Sequence, residues 1–411
     1  MMTTYAPQSS LGWLDFDAAA SERVGTLMRA LEEPGTLDPI GLGSVRDAFS
    51  AMIAPGTATI QTRLRYFLFV PWICQAIERE RVSTARFRAR LRDDEARLID
   101  CLRHLGPNNG VQGFTAGHDL QRMPSEAYWG GLGTWGIRRL DYSISEYGKR
   151  LPALCRMSSA RDDDGNPSAT GVSMWSPLTP PPDRFLDEDA SFELTSDEAL
   201  LLTDHLRRLH GASLLAAATS FPAEAAAAPM PWDVPPHLLT PELREILRHA
   251  RNVSELTLGP QLVYNLLLAR RANEEFGWDT SMLEDRLLVS LGDWTGVVGA
   301  RHAELQTWVG DIDSFWALVA RHANITEPTK SFVGSMVASA TSNPSGFAED
   351  SRVHGLIRDR EIRLKSKRAR LANRTALENW NQQPFGAQLS YRWSIVQSYL
   401  DDLSAALEGG A

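Results

Sequence analysis

A mainly α, multi-helical fold, in two helical domains or lobes, is what this sequence predicts, and three observations lead there. Apolar residues recur at three- and four-residue intervals along most of the chain, strand-like alternation is scarce, and Pro-Gly or Gly-Pro pairs close periodic stretches. At 411 residues the chain exceeds the length over which one core usually keeps growing, which sets the expectation of two lobes. Hydrophobic content of 43% and charged content of 23% are those of an ordinary globular protein and argue against disorder of the whole chain.

Each element has its own signal. Val45, Ala48, Phe49, Met52 and Ile53 make the first apolar face, Ser44 and Asp47 have the spacing of a capping box, and Pro55-Gly56 ends the helix. A second helix is expected from about Thr59, with Ile60, Leu64, Phe67 and Leu68 on one face. Pro71 should bend or stop it before Trp72 to Arg79. The run 84–104 carries Phe87, Leu91, Leu98 and Leu102 and meets Gly106-Pro107. Residues 128–137 are aromatic and glycine-rich, and 141–154 read as helical. The Pro/Asp/Ser/Gly-rich stretch 158–190 reads as a loop or linker, so domains are placed at 1–157 and 191–411. In the second domain helices are expected over 195–210, from Pro241 after Thr240, and over 260–275, 281–291, 301–309, 314–322, 330–340, 352–379 and 391–407. An Ala/Pro-rich connector is expected at 222–236.

Composition also bounds function. A net charge of −9 opposes bulk attraction to nucleic acid or anionic membrane, although a local basic face can still bind phosphate. Three separated cysteines, Cys74, Cys101 and Cys155, favour buried thiols in a reducing compartment. No basic, apolar leader opens the chain, and no run reaches the roughly 18 apolar residues of a membrane span, so a cytoplasmic protein without membrane contact is expected.

Familiar catalytic signatures are missing. Gly131, Gly133 and Gly136 have G-x-G-x-x-G spacing, but no strand precedes them and no acid follows at the distance a dinucleotide site needs. No C-x-x-C, H-x-x-x-H or H-E-x-x-H occurs, and Asp162 to Asn166 lacks the distal Glu of a calcium loop. Neither G-x-S-x-G nor a P-loop is present. No cofactor and no metal are expected.

Three groupings of unusual residues survive. Gln61, Arg63, Arg65 and Tyr66 lie among large apolar residues. On a helix Gln61 and Arg65 would share a face, and an arginine there must pair internally, with Asp47 or Asp15, or face an anion. Residues 352–374 carry Arg352, Arg358, Arg360, Arg363, Lys365, Lys367, Arg368, Arg370 and Arg374 against only Asp359 and Glu361. They read as one basic helix with a stripe of Val353, Leu356, Ile357, Leu364 and Leu371. Tyr128, Trp129 and Trp135 could pack tightly around glycines or form a platform for stacking bases.

Several longer strings stand together: Leu11-Gly12-Trp13-Leu14-Asp15-Phe16, Gly41 to Phe49, Pro55-Gly56-Thr57 with Ile60-Gln61-Thr62-Arg63, Tyr128-Trp129 to Gly136-Ile137, Leu262 to Leu266, Asp313 to Trp316, Ala369 to Asn373 and Arg392-Trp393. With these the sequence resembles, over nearly its whole length, an uncharacterised bacterial family, domain-of-unknown-function family 6361. The resemblance carries no activity. It implies company among genome-defence and DNA-modification genes, phage defence included, and residues 160–189 stand as an insertion.

The leading expectation is therefore a non-catalytic binding or assembly protein that contacts a DNA or RNA backbone, or a partner protein, through the basic helix and the Arg63/Arg65 region. The alternative is an enzyme of unrecognised type with a pocket around Asp15, Asp47, Gln61, Arg63 and Tyr66, near Trp13 or Trp129. A structural subunit would instead expose Trp129 and Trp135 in an apolar patch.

Overall fold

The computed structural model describes residues 38–158, 173–188 and 190–408; Trp13 and Asp15 lie outside them. The described residues form sixteen α-helices and no strand, with one isolated bridge between Arg138 and Trp175. In chain order these are α1 (Gly43–Ile53), α2 (Tyr66–Arg79), α3 (Thr84–Leu102), α4 (Pro124–Thr134), α5 (Ile144–Ser158), α6 (Ser196–His210), α7 (Leu214–Ala218) and α8 (Pro222–Ala226). The chain continues with α9 (Pro241–Phe276), α10 (Ser281–Ala300), α11 (His302–Gly310), α12 (Ile312–Val319), α13 (Glu327–Ser342), α14 (Ser351–Lys365), α15 (Arg374–Glu378) and α16 (Trp393–Glu408).

Local chemistry explains several boundaries. Thr195 caps α6 in a full capping box with Glu198, and the Thr240 hydroxyl accepts the Leu243 N–H at the start of α9, with Pro241 in the first turn. The expected Ser44/Asp47 box at α1 does not form. The Asp38 carboxylate accepts the Gly41 and Gly43 N–H groups instead, and Asp47 turns to Arg46 and Arg392. Pro71 does not end α2, and Pro260 does not divide α9, so the two helices expected over 241–275 are one of 36 residues. A proline removes one ladder hydrogen bond. Side-chain bonds from Thr257 to the Val253 carbonyl and from Gln261 to the Thr257 carbonyl bracket that gap. The 222–236 connector holds the short helix α8, which packs on α16.

In the first half α2 packs on α3 and α4, and α3 packs on α5. Phe67 stacks on Trp135 at 4.2 Å with Tyr128 edge-on. In the second half α9 is the axis, with α10, α13 and α14 around it. The halves share side chains across the core. Helix α1 lies against α9 and α12, while Tyr399 of α16 donates its hydroxyl to Gln61 Oε1 at 2.8 Å. No helix among the described residues is long and apolar enough to cross a membrane.

One buried acid gives the first half a pH dependence. Glu95 of α3 caps α4 by accepting the Ser125 N–H at 2.5 Å, and burial raises its carboxyl from 4.5 to about 7. A folded value above the unfolded one means that folding favours the protonated form. Its contribution is complete below the unfolded value and is lost as pH rises through 7. Over this window the expected loss is about 3 kcal/mol. Urea unfolding of wild type from pH 4.5 to 8 should display it, and Glu95→Gln should flatten the profile.

Candidate functional site

The second half turns its basic segment outward at one place, and the turn is built around a buried carboxylate. Helix α14 starts where Asp350 accepts the Arg352 N–H at 2.8 Å, and it buries Val353 and Ile357. Its expected continuation to residue 374 does not exist. The helix stops at Lys365, Ser366 takes φ 50° and ψ −120°, a short 3-10 turn covers Ser366–Arg368, and α15 begins only at Arg374. A positive φ at serine is strained and persists only where the surroundings dictate it.

Glu361 is what dictates it. Fully buried, its carboxylate accepts the Tyr264 hydroxyl at 2.6 Å, the Arg370 N–H at 3.0 Å and the Leu371 N–H at 2.8 Å, with the Lys365 ammonium at 3.4 Å. Two of these donors lie nine and ten residues further along the backbone. Collecting them folds the chain back and holds residues 366–368 out as a tip. Burial lowers the Lys365 pKa, and its ammonium stands over the rings of Tyr264 and Phe385. Leu371 leaves the expected stripe for the core, and Leu364 is exposed.

The basic residues therefore divide. Arg360 is interior: it donates to the Ile40 and Gly41 carbonyls and to Thr329, and lies over Phe332. Arg370 packs over Phe385 at 4.6 Å, and Arg374 stands 3.4 Å from Glu275 and over Phe276. Arg358, Arg363, Lys367 and Arg368 are exposed, and among the described residues none has an ion pair or side-chain hydrogen bond. Arg352 shares that state and, three turns back, sits on the same flank as Arg363. Asp359 is the one acid that α14 exposes. Arg363 also suits the negative end of the helix dipole, but Lys367 and Arg368 lie beyond the last turn, where that effect fades.

The guanidinium groups of the Arg63/Arg65 region are both held by carboxylates of the chain. Residues 57–65 are not helical, so Gln61 and Arg65 share no helix face. Both arginines are consumed internally, and not by Asp47; Asp15 lies outside the described residues. Arg63 donates through Nε and Nη2 to Asp402 Oδ1 at 2.8 and 2.5 Å, while Asp402 Oδ2 accepts the Leu64 N–H. Arg65 is buried against Glu198 at 2.8 Å and donates to the Ser191 carbonyl. Gln61 spends its amide on the Gly56 and Ala127 carbonyls, the Ala58 N–H and Tyr399. Tyr66 is buried and accepts the Gln112 N–H.

The aromatic platform is corrected likewise. Tyr128, Trp129 and Trp135 are all buried, so they offer neither a stacking face nor an exposed apolar patch. Gly131 and Gly133 lie inside α4, where a Cβ on Gly131 would meet the Gly56 carbonyl at 2.5 Å. Their spacing serves packing. No group of three or more His, Cys, Asp or Glu that could hold a metal occurs among the described residues.

One pair escaped the sequence. His205 Nδ1 lies 3.1 Å from the Trp135 carbonyl and Nε2 lies 3.2 Å from the Ser176 hydroxyl, both partners buried, and burial lowers the imidazole pKa. The Trp135 carbonyl can only accept, which favours a proton on Nδ1 with Nε2 accepting from Ser176, although Arg208 Nη2 also lies 3.3 Å from Nδ1; the contacts fasten residues 173–178 to α6. The partners lie 29 and 70 residues away, so no local spacing could have revealed them.

Fold and tip together define a mainly α, multi-helical protein that presents unpaired cations on an acidic body. The profile of the Family of unknown function (DUF6361) matches residues 8–407. The chain belongs to that family. No curated protein and no solved structure gives a match.

Proposed function

We propose that this protein binds the phosphate backbone of a nucleic acid through the tip that follows α14, with Arg363, Lys367 and Arg368 as the main contacts and Arg358 and Arg352 beside them. One observation supports the reading above others: these cations stand free side by side, whereas Arg63, Arg65 and Arg301 are each held by a carboxylate. Exposed guanidinium and ammonium groups without a carboxylate lose little on meeting a phosphate and release condensed counterions when they do. Nothing in the tip reads base edges, so the binding is one of charge and shape. A role in genome defence is consistent with such binding and rests on the family resemblance alone.

The test is a salt series by fluorescence anisotropy on duplex and single-stranded DNA. Three to four neutralised phosphates give a slope of log K against log salt of roughly −3. The triple change Arg363→Glu, Lys367→Glu and Arg368→Glu should flatten that slope and weaken binding by roughly a hundredfold or more at low salt. These side chains have no partners among the described residues, so the unfolding midpoint should fall only slightly, by the dipole interaction lost at Arg363. Binding that ignores salt, or that survives the triple change, rules the mechanism out.

A further inference from the structure

Helix α10 has the wrong outside for a solvent-facing helix. Its inner face is ordinary: Leu283, Leu287, Leu291, Trp294 and Val298 are buried against the core. Its outer face carries Met282 at 75% exposure and Val289 at 66%, with Val297 and Leu288 partly exposed on the two flanks. At about 100° per residue, Met282, Val289 and Gly296 fall within a narrow strip opposite the buried side, with Gly292 next to it. A Cβ added at Gly292 or Gly296 would meet nothing within 4 Å, so packing inside the chain does not call for glycine there. Glycine within a helix is less stable than alanine, and two open positions that keep it leave room for a close-approaching backbone.

Three exposed charges lie on this face: Asp285 falls within the strip, between Gly292 and Gly296 around the helix, and the other two specify what approaches. Arg286 and Asp293 flank the strip on one side, both exposed and neither in an ion pair among the described residues. If a second α10 runs antiparallel about a two-fold axis between Val289 and Ser290, Arg286 of each copy faces Asp293 of the other. The same register sets Met282 against Val297. The pairing is self-complementary, as a two-fold interface requires.

We propose that the protein forms a two-fold homodimer through α10, packed antiparallel in this register. This is independent of nucleic-acid binding, because the tip after α14 contributes no residue to the contact. Sedimentation equilibrium of the full chain at micromolar concentration should return twice the chain mass. Gly296→Arg should give a monomer with unchanged circular dichroism, because the position is open. Arg286→Asp should weaken the dimer by roughly tenfold or more, and adding Asp293→Arg should restore it to within a few-fold, since only the assigned register exchanges one pair for its mirror. With Val289→Cys next to the axis, mild oxidation should join two chains. A monomeric wild type, a dimer that tolerates Gly296→Arg, a charge swap that fails to rescue, or a Val289→Cys variant that stays a single chain under oxidation would each overturn the proposal.

Discussion

Replacing Glu361 by alanine is expected to cost about 3–5 kcal/mol of folding stability, the range for removing one member of a buried charged network. The carboxylate holds the Tyr264 hydroxyl, two backbone N–H groups and the Lys365 ammonium. Its loss leaves those donors buried without an acceptor while Ser366 remains at a positive φ. Chemical denaturation measures the first consequence. The second is specific to the tip: hydrogen exchange at Arg370 and Leu371 should accelerate well beyond the global change. Glu361→Gln should fall between, because an amide oxygen still accepts while its NH2 confronts donors. If both substitutions leave exchange at Arg370 and Leu371 untouched, Glu361 does not shape the turn.

Glu198→Ala should be comparably damaging, again by about 3–5 kcal/mol. Arg65 keeps only the Ser191 carbonyl and the rings of Phe69 and Trp72 once Glu198 is gone. An unpaired guanidinium in that setting has lost its hydration without compensation. Glu198 also closes the capping box of α6, so the helix loses an N-terminal bond as well. Combining Glu198→Ala with Arg65→Met should recover part of the deficit, since no charge is then left stranded although the space of the glutamate stays unfilled. Thermal unfolding of the two single variants and the double variant reads this out. A double variant no better than Glu198→Ala alone would show that the stranded charge is not the cause.

What is legible in the sequence is local. Thr195 with Glu198 and Thr240 with Pro241 announce α6 and α9 because a cap is settled within four residues. Likewise, the apolar spacing of 84–102 gives α3, since one face satisfies itself. What distant partners decide is not legible. The strip of cations from 352 to 374 has helical spacing throughout, yet the carboxylate of Glu361 pulls in N–H groups from residues 370 and 371 and breaks the helix between. Composition alone marks Arg63 and Arg65 as needing partners. Those partners, Asp402 and Glu198, lie 339 and 133 residues away, beyond any periodicity. Pro260 reads as a boundary because propensity weighs a proline heavily, and the packed neighbours of α9 outweigh one missing bond. For the candidate site, the run of charge is visible, but which cations face water is not, because burial is a property of the finished packing.

Helix α16 closes onto the non-helical segment before α2, with Asp402, Tyr399 and Ser398 taking up Arg63, Gln61 and the Thr62 carbonyl. On the ribosome, that segment emerges 339 residues ahead of the aspartate that anchors it. At ordinary elongation rates this is an interval of roughly 20–70 s. During that wait the arginine and the glutamine amide are satisfied by water, and the native contacts of this segment cannot close until the last helix has emerged. The order in which the chain is made thus sets the closing of α16 as a late step.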